Sequence, residues 1–324
     1  MQYTRREFGK LAISTLPAAT LFERPFAAGA QARRPNSVID GVPLGTITYS
    51  YRTMPDQSAE ATLRYIVESG ISQIELMGGP AESFAGLPQT GRGGGGGGRG
   101  QQPTPEQQAA QREAAARLKA WRTTVSMDRF KDLRKMYNDA GVTIYAWKVL
   151  SPNMSDEEFE YVFNVAEALG CTHTTLELPT EAAHLKRVGD FAAKKKIYAA
   201  YHTHTQATMT SFDQAFALSK GNMANIDLGH YVAGTGQSPI PFLKKYHHRI
   251  SSVHLKDRTT PVNGAKNLPW GTGDTPLKEI LQVVKKERYT FPLAIELEYD
   301  VPQDSDAVKE VAKCLDYCRT ALKG

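Results

Sequence analysis

Three short apolar segments in the last third of the chain each end in a residue type that binds metal ions. They read Ala-Asn-Ile-Asp227, Ser-Ser-Val-His254 and Leu-Ala-Ile-Glu296. Each is rich in apolar and β-branched residues and is followed by a helix-like stretch, which is typical of a buried parallel strand. A carboxylate or imidazole at the end of such a strand is costly unless it has a partner. One divalent cation at the rim of a strand–helix barrel is the simplest shared partner.

The same alternation of strands and helices runs through most of the chain. Strands are predicted over residues 44–50, 72–77, 142–149, 171–178, 197–203, 223–228, 250–256 and 292–298. Helices are predicted over residues 57–69, 125–139, 155–169, 181–195, 211–220, 238–247, 275–287 and 304–322. Eight such units predict an α/β fold, a (β/α)8 TIM barrel over residues 44–324, preceded by a polar leader over 33–43. A doubly wound open sheet is the alternative, because alternation does not count strands reliably.

One low-complexity segment interrupts the alternation after the second predicted strand. It contains an unbroken glycine run over residues 93–98, and its composition predicts a disordered insertion over 91–105. No strand leads directly into it and no Lys-Ser or Lys-Thr pair follows, so we do not interpret it as a phosphate-binding loop. Residues 105–120 are rich in Ala, Gln and Arg and are predicted to form an additional helix.

The first 32 residues are typical of an export signal. Thr4-Arg5-Arg6-Glu7-Phe8-Gly9-Lys10 resembles the twin-arginine signal, a mildly apolar stretch follows, and Ala30-Gln31-Ala32 offers a cleavage site. We therefore predict a signal peptide over 1–32, transient contact with the twin-arginine translocation machinery and a periplasmic mature protein. This route carries folded proteins, which suits a protein that acquires its metal before export.

Composition excludes several other classes of protein. The formal net charge of +5 is small and its charges are scattered, so nucleic acid is not an expected partner. The three cysteines, Cys171, Cys314 and Cys318, form neither a disulfide framework nor a zinc-binding pattern, and core packing is the expected role of Cys318. The sequence is compatible with a homo-oligomer.

Two earlier predicted strands add candidates to the site. Thr-Thr-Leu-Glu177 ends the fourth strand, and Tyr-His202-Thr-His204 ends the fifth, where the period of two places both histidines on one face. Taken singly, such residues are often helix caps, ion-pair partners or hydrogen-bonded structural histidines. Taken together at successive strand ends, they predict a site for one divalent ion, Mn²⁺, Co²⁺, Mg²⁺ or Zn²⁺. The predicted ligands are Glu177, His202, Asp227, His254 and Glu296.

These motifs resemble a known family. Asp227-x-x-His230, His254-x-Lys256-Asp257 and Ile-Glu296 look like the xylose isomerase-like barrels, the sugar phosphate isomerase/epimerase family. The segment Trp270-Gly-Thr-Gly-Asp274 resembles that family's Gly-x-Gly loop. The resemblance implies a cation held by Asp227, His254 and Glu296, with substrate contacts from His230. Asp257 and Trp270 lie in the matching motifs and are further candidates for substrate binding.

The chain departs from this family at the fourth ligand. Epimerases of the group usually supply a glutamate from the strand before the aspartate strand, whereas that strand here ends in histidines, as in the inosose dehydratase branch. Either His202 or His204 replaces the glutamate, or Glu177 reaches in from strand four. The predicted catalytic residues are Glu177, His204, Lys256 and Glu296, with Lys256 placed to steady an anionic oxygen or to pair with a neighbouring carboxylate.

Three functions follow from this interpretation. The leading one is a metal-dependent isomerase or epimerase that acts on a sugar or polyol through an enediolate. The alternative is a lyase or dehydratase that acts on a keto-sugar or keto-glycoside on the same barrel. A non-catalytic sugar-binding protein is the alternative from another class, and the intact set of ligands argues against it.

The export prediction has a direct test. An Arg5→Lys, Arg6→Lys double variant should remain in the cytoplasm, because the twin-arginine machinery recognises the arginine pair rather than charge alone. Cell fractionation with immunoblotting measures this, and the wild-type protein should start near Arg33 after cleavage. Normal export of the double variant would contradict the predicted route.

Overall fold

The structure is a computed structural model that describes residues 34–88 and 104–323. The predicted signal peptide over 1–32 and the glycine run over 93–98 lie outside these ranges. The predicted leader is described from residue 34 and contains a short strand, Val38–Ile39, that pairs antiparallel with the strand after it. Thr104 and Pro105, which were predicted to end the insertion, instead begin a helix.

Eight parallel strands in the described part of the chain close into a barrel. They are β1 Val42–Ile47, β2 Gln73–Met77, β3 Thr143–Lys148, β4 His173–Glu177, β5 Tyr198–His202, β6 Asn222–Asp227, β7 Ile250–Leu255 and β8 Leu293–Ile295. Each strand pairs with the next in chain order, and β8 pairs with β1, with Ala294 opposite Gly45. The predicted (β/α)8 barrel is confirmed, and closure rules out the open sheet.

Helices connect the strands on the outside of the barrel. They are α1 Ala59–Glu68, α2 Gly78–Phe84, α3 Pro105–Arg122, α4 Asp128–Asp139, α5 Asp156–Leu169, α6 Ala182–Lys195, α7 Asp213–Leu218, α8 Leu228–Thr235, α9 Ile240–Tyr246, α10 Leu277–Glu287 and α11 Ala307–Lys323. All the predicted helices are present, including the additional one. The capping box between Thr104 and Gln107 begins α3.

Two short helices, α2 and α8, are absent from the prediction. Each begins directly after the last residue of a strand, so no polar segment separates the two patterns. The carboxylate of Asp227, the last residue of β6, accepts a hydrogen bond from the backbone N–H of His230 and caps α8. The same residue therefore ends a strand, begins a helix and points into the barrel.

The apolar core lies between the strands and the helices, whereas the barrel interior is polar. Trp147 and Phe159 are fully buried in the outer layer, and the Trp147 indole donates to the Val162 carbonyl at 3.1 Å. The three cysteines are free and buried, and the burial of Cys318 in the core confirms its expected role. Inside the barrel, several polar side chains are fully buried, although apolar layers usually fill this space. They are Glu75, His173, Thr175, Asn225, Ser252 and His254.

Two β-bulges change the direction of side chains near the N-terminal end of the barrel. The register between β2 and β3 passes from Ile144 to Ala146, which leaves Tyr145 as the extra residue. The register between β6 and β7 passes from Ile250 to Ser252, which leaves Ser251 as the extra residue.

In the described ranges, the helices are all too short or too polar to cross a membrane.

Candidate metal centre

His202, Asp227, His254 and Glu296 lie together at the C-terminal rim of the barrel. One ligand atom from each lies within 4.8 Å of the others, and all four residues are buried. They come from the ends of β5, β6, β7 and β8, which are neighbours in the sheet, and Asp227 lies opposite His254 in the register. The structure therefore brings together four of the five predicted ligands.

The environment of Asp227 fits a metal ligand. Its Oδ1 atom accepts the backbone N–H of His230 at 2.7 Å, but its buried Oδ2 atom accepts no hydrogen bond within the described ranges. Lys256 Nζ lies 2.9 Å from Oδ2, so the two groups form an ion pair without hydrogen-bond alignment. A buried carboxylate oxygen beside two imidazoles and a second carboxylate suits Zn²⁺, Mn²⁺ or Co²⁺.

His254 lies between two carboxylates. Its Nδ1 atom is 2.8 Å from Glu296 Oε2, and its Nε2 atom is 2.9 Å from Glu75 Oε2. Burial disfavours the imidazolium, but Glu296 and Glu75 outweigh that effect and raise the pKa of His254 to about 10. A cation that binds His254 must therefore displace a proton.

Glu75 is the principal residue that the sequence did not predict. It lies in the middle of β2, is fully buried, and accepts Thr175 Oγ1 at 2.6 Å and Asn225 Nδ2 at 3.0 Å. Burial alone would raise the pKa of Glu75, but the charge and hydrogen bond of His254 lower it to about 2. A carboxylate that orients a metal-binding histidine is a common partner of such ligands. The feature of the sequence that could have identified Glu75 is the presence of a carboxylate inside an otherwise apolar predicted strand.

A hydrogen-bonded chain extends from Glu75 toward the opposite end of the barrel. Asn225 Nδ2 donates to Ser252 Oγ at 2.8 Å, Ser252 Oγ lies 2.9 Å from His173 Nε2, and His173 Nδ1 lies 2.9 Å from Thr172 Oγ1. His173 thus has the structural, hydrogen-bonded role expected of a single strand histidine. Because every member has a partner, the chain can fix Glu75 in position, and its hydrogen bonds offset part of the desolvation penalty.

Lys256 is surrounded by acidic groups. Its Nζ atom lies 2.9 Å from Asp227 Oδ2, 2.9 Å from Glu296 Oε2 and 2.6 Å from Glu298 Oε2. Burial lowers the pKa of Lys256, but the three carboxylates outweigh that effect and raise it above its usual value. The ammonium group is therefore charged and adjacent to the cluster, where an anionic oxygen would meet it. Its catalytic role remains a prediction.

Glu177 does not belong to the cluster, and this corrects its prediction as a metal ligand. It ends β4, one strand farther round the rim, and its side chain is 52% exposed. Lys148 Nζ holds one of its oxygens at 2.9 Å, and His204 Nδ1 lies 3.4 Å from the other. Lys148, at the end of β3, is a further polar residue at the mouth that the sequence analysis missed.

His204 and His230 lie beside His202 at the C-terminal rim of the barrel. The ring centroid of His204 is 5.0 Å from that of His202 and 4.8 Å from that of His230. Arg258 donates to Nδ1 of His230, and Lys256 Nζ lies 3.1 Å from its Nε2 atom. Burial and these two cations lower the pKa of His230 to about 2, so its imidazole is neutral.

Asp257 has a structural role, which corrects its prediction as a substrate-binding residue. Its Oδ2 atom accepts the backbone N–H groups of Gly271, Thr272 and Gly273 at 2.8, 3.1 and 2.9 Å, and Oδ1 accepts that of Thr275 at 3.3 Å. Four donors therefore occupy the carboxylate, which anchors the loop. Beside that loop, the ring of Trp270 packs against Tyr317 in an edge-to-face arrangement at 5.9 Å. Its substrate-binding role remains a prediction.

Comparison with known families identifies the group to which this barrel belongs. The model of the xylose isomerase-like TIM barrel family matches residues 114–318. The chain therefore belongs to the xylose isomerase-like TIM barrel family, as its motifs predicted.

Curated relatives match part of the chain. An inosose dehydratase of Clostridium botulinum is 31% identical over 161 residues, which cover 43% of this chain and 50% of that protein. An inosose dehydratase of Clostridium tetani is 27% identical over 157 residues, which cover 42% of this chain and 52% of that protein. The chain thus spans about half the length of the curated relatives it matches.

Solved structures share the fold over most of their length. A sugar phosphate isomerase/epimerase from Parabacteroides distasonis has a TM-score of 0.58 at 18% identity and covers 89% of this chain and 97% of its own. A probable 3-DHS dehydratase from Bacillus anthracis has a TM-score of 0.58 at 15% identity, with 85% and 98% covered. The IOLI protein, solved with a zinc atom, has a TM-score of 0.55 at 15% identity, with 87% and 98% covered. These identities establish the common fold.

Removing a ligand should remove the metal. We expect Asp227→Ala and His254→Ala to lose most of the bound divalent ion, while Glu296→Gln loses less because its amide oxygen can still coordinate. Metal analysis of the purified variants measures this, with His184→Ala, at a partly exposed histidine outside the cluster, as the control. For the wild type, apparent affinity should rise about tenfold per pH unit from about pH 6, the raised pKa of Asp227, up to the pKa of His254, since only the His254 proton is displaced over that range. Wild-type protein that binds no divalent ion at any pH would contradict the assignment.

Replacing Glu75 should weaken the metal site without touching a ligand. Glu75→Gln keeps the shape of the side chain but removes the charge that orients His254, so we expect metal affinity to fall by about 10- to 100-fold. Isothermal titration of metal into both proteins measures the difference. Glu82→Gln, at another buried glutamate that pairs with Arg122 outside the barrel interior, is the matched control and should leave the affinity unchanged. Equal affinities of Glu75→Gln and wild type would contradict the orienting role.

Proposed function

We propose that this protein is a divalent-metal-dependent lyase that removes water from a keto-sugar or keto-polyol. The observation that carries the proposal is the composition of the cluster, in which Glu296 is the single glutamate and His202 stands where the resembling epimerases have a second one. Two-base epimerisation needs proton-transfer groups on opposite faces of the substrate. Similarity to inosose dehydratases supports the lyase in preference to the isomerase or epimerase that the sequence first suggested.

Glu296 is the proposed base. Its carboxylate lies at the rim, 6% exposed, and is held by His254 and Lys256. It accepts the proton from the carbon next to the substrate carbonyl, which leaves an enediolate. A bound divalent cation held by His202, Asp227, His254 and Glu296 would polarise that carbonyl and stabilise the negative charge.

Lys256 is the proposed stabiliser of the anionic oxygen. Its ammonium group is almost fully buried beside Glu296, where the attraction between opposite charges is strong. Because Asp227, Glu296 and Glu298 keep it charged, it is better suited to stabilise charge than to donate its proton. The proposed role of Lys256 therefore follows from its position beside the cluster.

His204 and Glu177 are the proposed acid pair. Glu177 lies within ion-pair distance of Nδ1 of His204, so Nε2 is the ring nitrogen that would donate a proton to the substrate. The hydroxyl β to the carbonyl leaves as water with a proton from His204, and the proton held by Glu296 then returns to His204 through solvent. The substrate thereby loses one proton and one hydroxide, and the enzyme recovers its starting protonation.

The predicted cellular location belongs to the same proposal. A periplasmic lyase would meet free keto-sugars and keto-glycosides rather than sugar phosphates, so the proposed substrate class is consistent with the predicted export signal over 1–32. The keto-polyol inosose, named by the curated relatives, is the first substrate to test.

Incubation of the metal-loaded protein with inosose in D2O separates the candidate reactions. A lyase releases one water, seen by mass spectrometry, whereas an isomerase or epimerase incorporates deuterium without loss of mass as water. We expect Glu296→Gln to abolish both signals and His204→Ala to retain exchange while losing dehydration by about 10²-fold or more. The matched control is His184→Ala, because His184 forms a surface pair with Glu181 at the same 3.4 Å separation. Deuterium incorporation without dehydration, with inosose and keto-glycosides alike, would contradict the lyase and favour the isomerase.

A further inference from the structure

Arg258 is a buried arginine that forms no ion pair with a carboxylate in the described ranges. It lies in the two-residue strand Asp257–Arg258 and is 9% exposed. Its guanidinium donates to Nδ1 of His230 and to the backbone carbonyl of Ala265, and its Nε atom has no partner among the described residues. A buried charge without an opposite charge is costly, so this arginine is not explained by charge pairing.

The contact with Arg258 determines which ring nitrogen of His230 carries the hydrogen. A guanidinium has only donors, so Nδ1 must accept and cannot carry a hydrogen. On the other side of the ring, Lys256 Nζ lies 3.1 Å from Nε2, and two flanking cations disfavour the imidazolium. A neutral ring with an accepting Nδ1 atom has its hydrogen on Nε2.

Lys256 is also a donor, but its hydrogens have other acceptors. Three carboxylates lie within 2.9 Å of its Nζ atom. By contrast, Nδ1 of His230 is the one side-chain acceptor that Arg258 contacts in the described part of the chain. The arginine therefore sets the tautomer, and the lysine can turn to its carboxylates.

The backbone holds His230 in the same place. Its N–H donates to Asp227 Oδ1 at 2.7 Å. At Gly229, a Cβ atom would overlap the side chain and carbonyl of Lys256, so the glycine allows the first turn of α8 to lie against that lysine. Nε2 of His230 is 3.7 Å from Glu298 Oε2, beyond hydrogen-bond distance, and the histidine side chain retains 10% exposure.

We propose that Arg258 is a positioning residue that fixes His230 as a hydrogen-bond donor, through Nε2–H, to an oxygen of the substrate. The Nε2–H group and the ammonium of Lys256 are neighbouring donors, and an anionic oxygen of the enediolate would be their shared acceptor. The identity of that oxygen rests on the proposed function, whereas the tautomer of His230 does not.

A second metal ion is the competing use of this histidine. Ligand atoms of His202, His204 and His230 lie within 4.8 Å of one another. However, Arg258 occupies Nδ1 of His230, and a metal ion at Nε2 would lie beside the ammonium of Lys256. Repulsion between these positive charges favours the donor role.

NMR spectroscopy reads the tautomer directly. In two-bond ¹H–¹⁵N correlation spectra of ¹⁵N-histidine-labelled protein with one equivalent of Zn²⁺, His230 should carry its hydrogen on Nε2. The signal is assigned by its absence in His230→Gln. In Arg258→Met, the donor at Nδ1 is lost and Lys256 remains at Nε2, so we expect the hydrogen to move to Nδ1. Arg52→Met is the matched control, because Arg52 also donates to a backbone carbonyl, that of Leu297, at the same rim.

Three results of these spectra would overturn the proposal. They are a hydrogen on Nδ1 in wild type, a hydrogen that stays on Nε2 in Arg258→Met, and loss of the Nε2 hydrogen when a second equivalent of Zn²⁺ is added. The first and third need only the wild-type protein, so they do not depend on the folding of a variant.

Turnover of inosose separates this role from a merely structural one. A donor to charge that develops in the transition state acts on kcat, so Arg258→Met should lower kcat by about 10²-fold with KM little changed. Arg258→Lys, which retains a cationic donor, should recover part of the loss. A lower melting temperature with unchanged kcat in Arg258→Met would overturn the proposal. If wild type does not dehydrate inosose, the proposed lyase is wrong, and the spectra alone decide the role of Arg258.

Discussion

His254 lies between the carboxylates of Glu75 and Glu296 in the closed interior of the barrel, and the rest of the site is arranged around this contact. Glu75 orients the imidazole, and Glu296 lies beside it as another candidate metal ligand. Burial makes each of these groups expensive alone, so the three stabilise one another only when the barrel closes. The remaining ligands and Lys256 meet the same point because neighbouring strands end at the same height.

The polar interior is the structural consequence of that contact. Glu75 needs hydrogen bonds to remain charged in the barrel, and Thr175 and Asn225 supply them. Asn225 in turn contacts Ser252, and Ser252 contacts His173, so the chain of hydrogen bonds extends away from the rim. The usual apolar layers give way to a satisfied network, which fixes side-chain positions more strictly than apolar packing does. Two bulges then place further hydroxyl groups at the far end.

Membership of the xylose isomerase-like family leaves the reaction open, because one barrel carries several chemistries. Enediolate formation is common to isomerases, epimerases and dehydratases, and what separates them is the group that handles the second proton or the leaving hydroxyl. In this chain, the strand before the aspartate strand supplies His202 to the cluster and His204 to the mouth. A mouth histidine that is paired with Glu177 suits protonation of a leaving group.

The sequence by itself determined the alternation of eight strands with amphipathic helices, because the period of each segment is a local property. Closure into a barrel rather than an open sheet was decided by the pairing of β8 with β1 in the tertiary structure. The sequence also identified four candidate metal ligands, because each is a ligand-type residue at the end of a predicted strand. They are His202, Asp227, His254 and Glu296. Glu75 and Lys148 required the tertiary structure, because their importance comes from side-chain contacts between strands: Glu75 meets His254 across the barrel interior, and Lys148 meets Glu177 at the rim. Glu177 as a metal ligand and Asp257 as a substrate-binding residue were misjudged for the same reason. Their partners, Lys148 for one and the backbone of a distant loop for the other, are fixed only when the chain folds. A pattern along the chain specifies which groups reach the rim, but burial and the choice of partner are properties of three-dimensional packing.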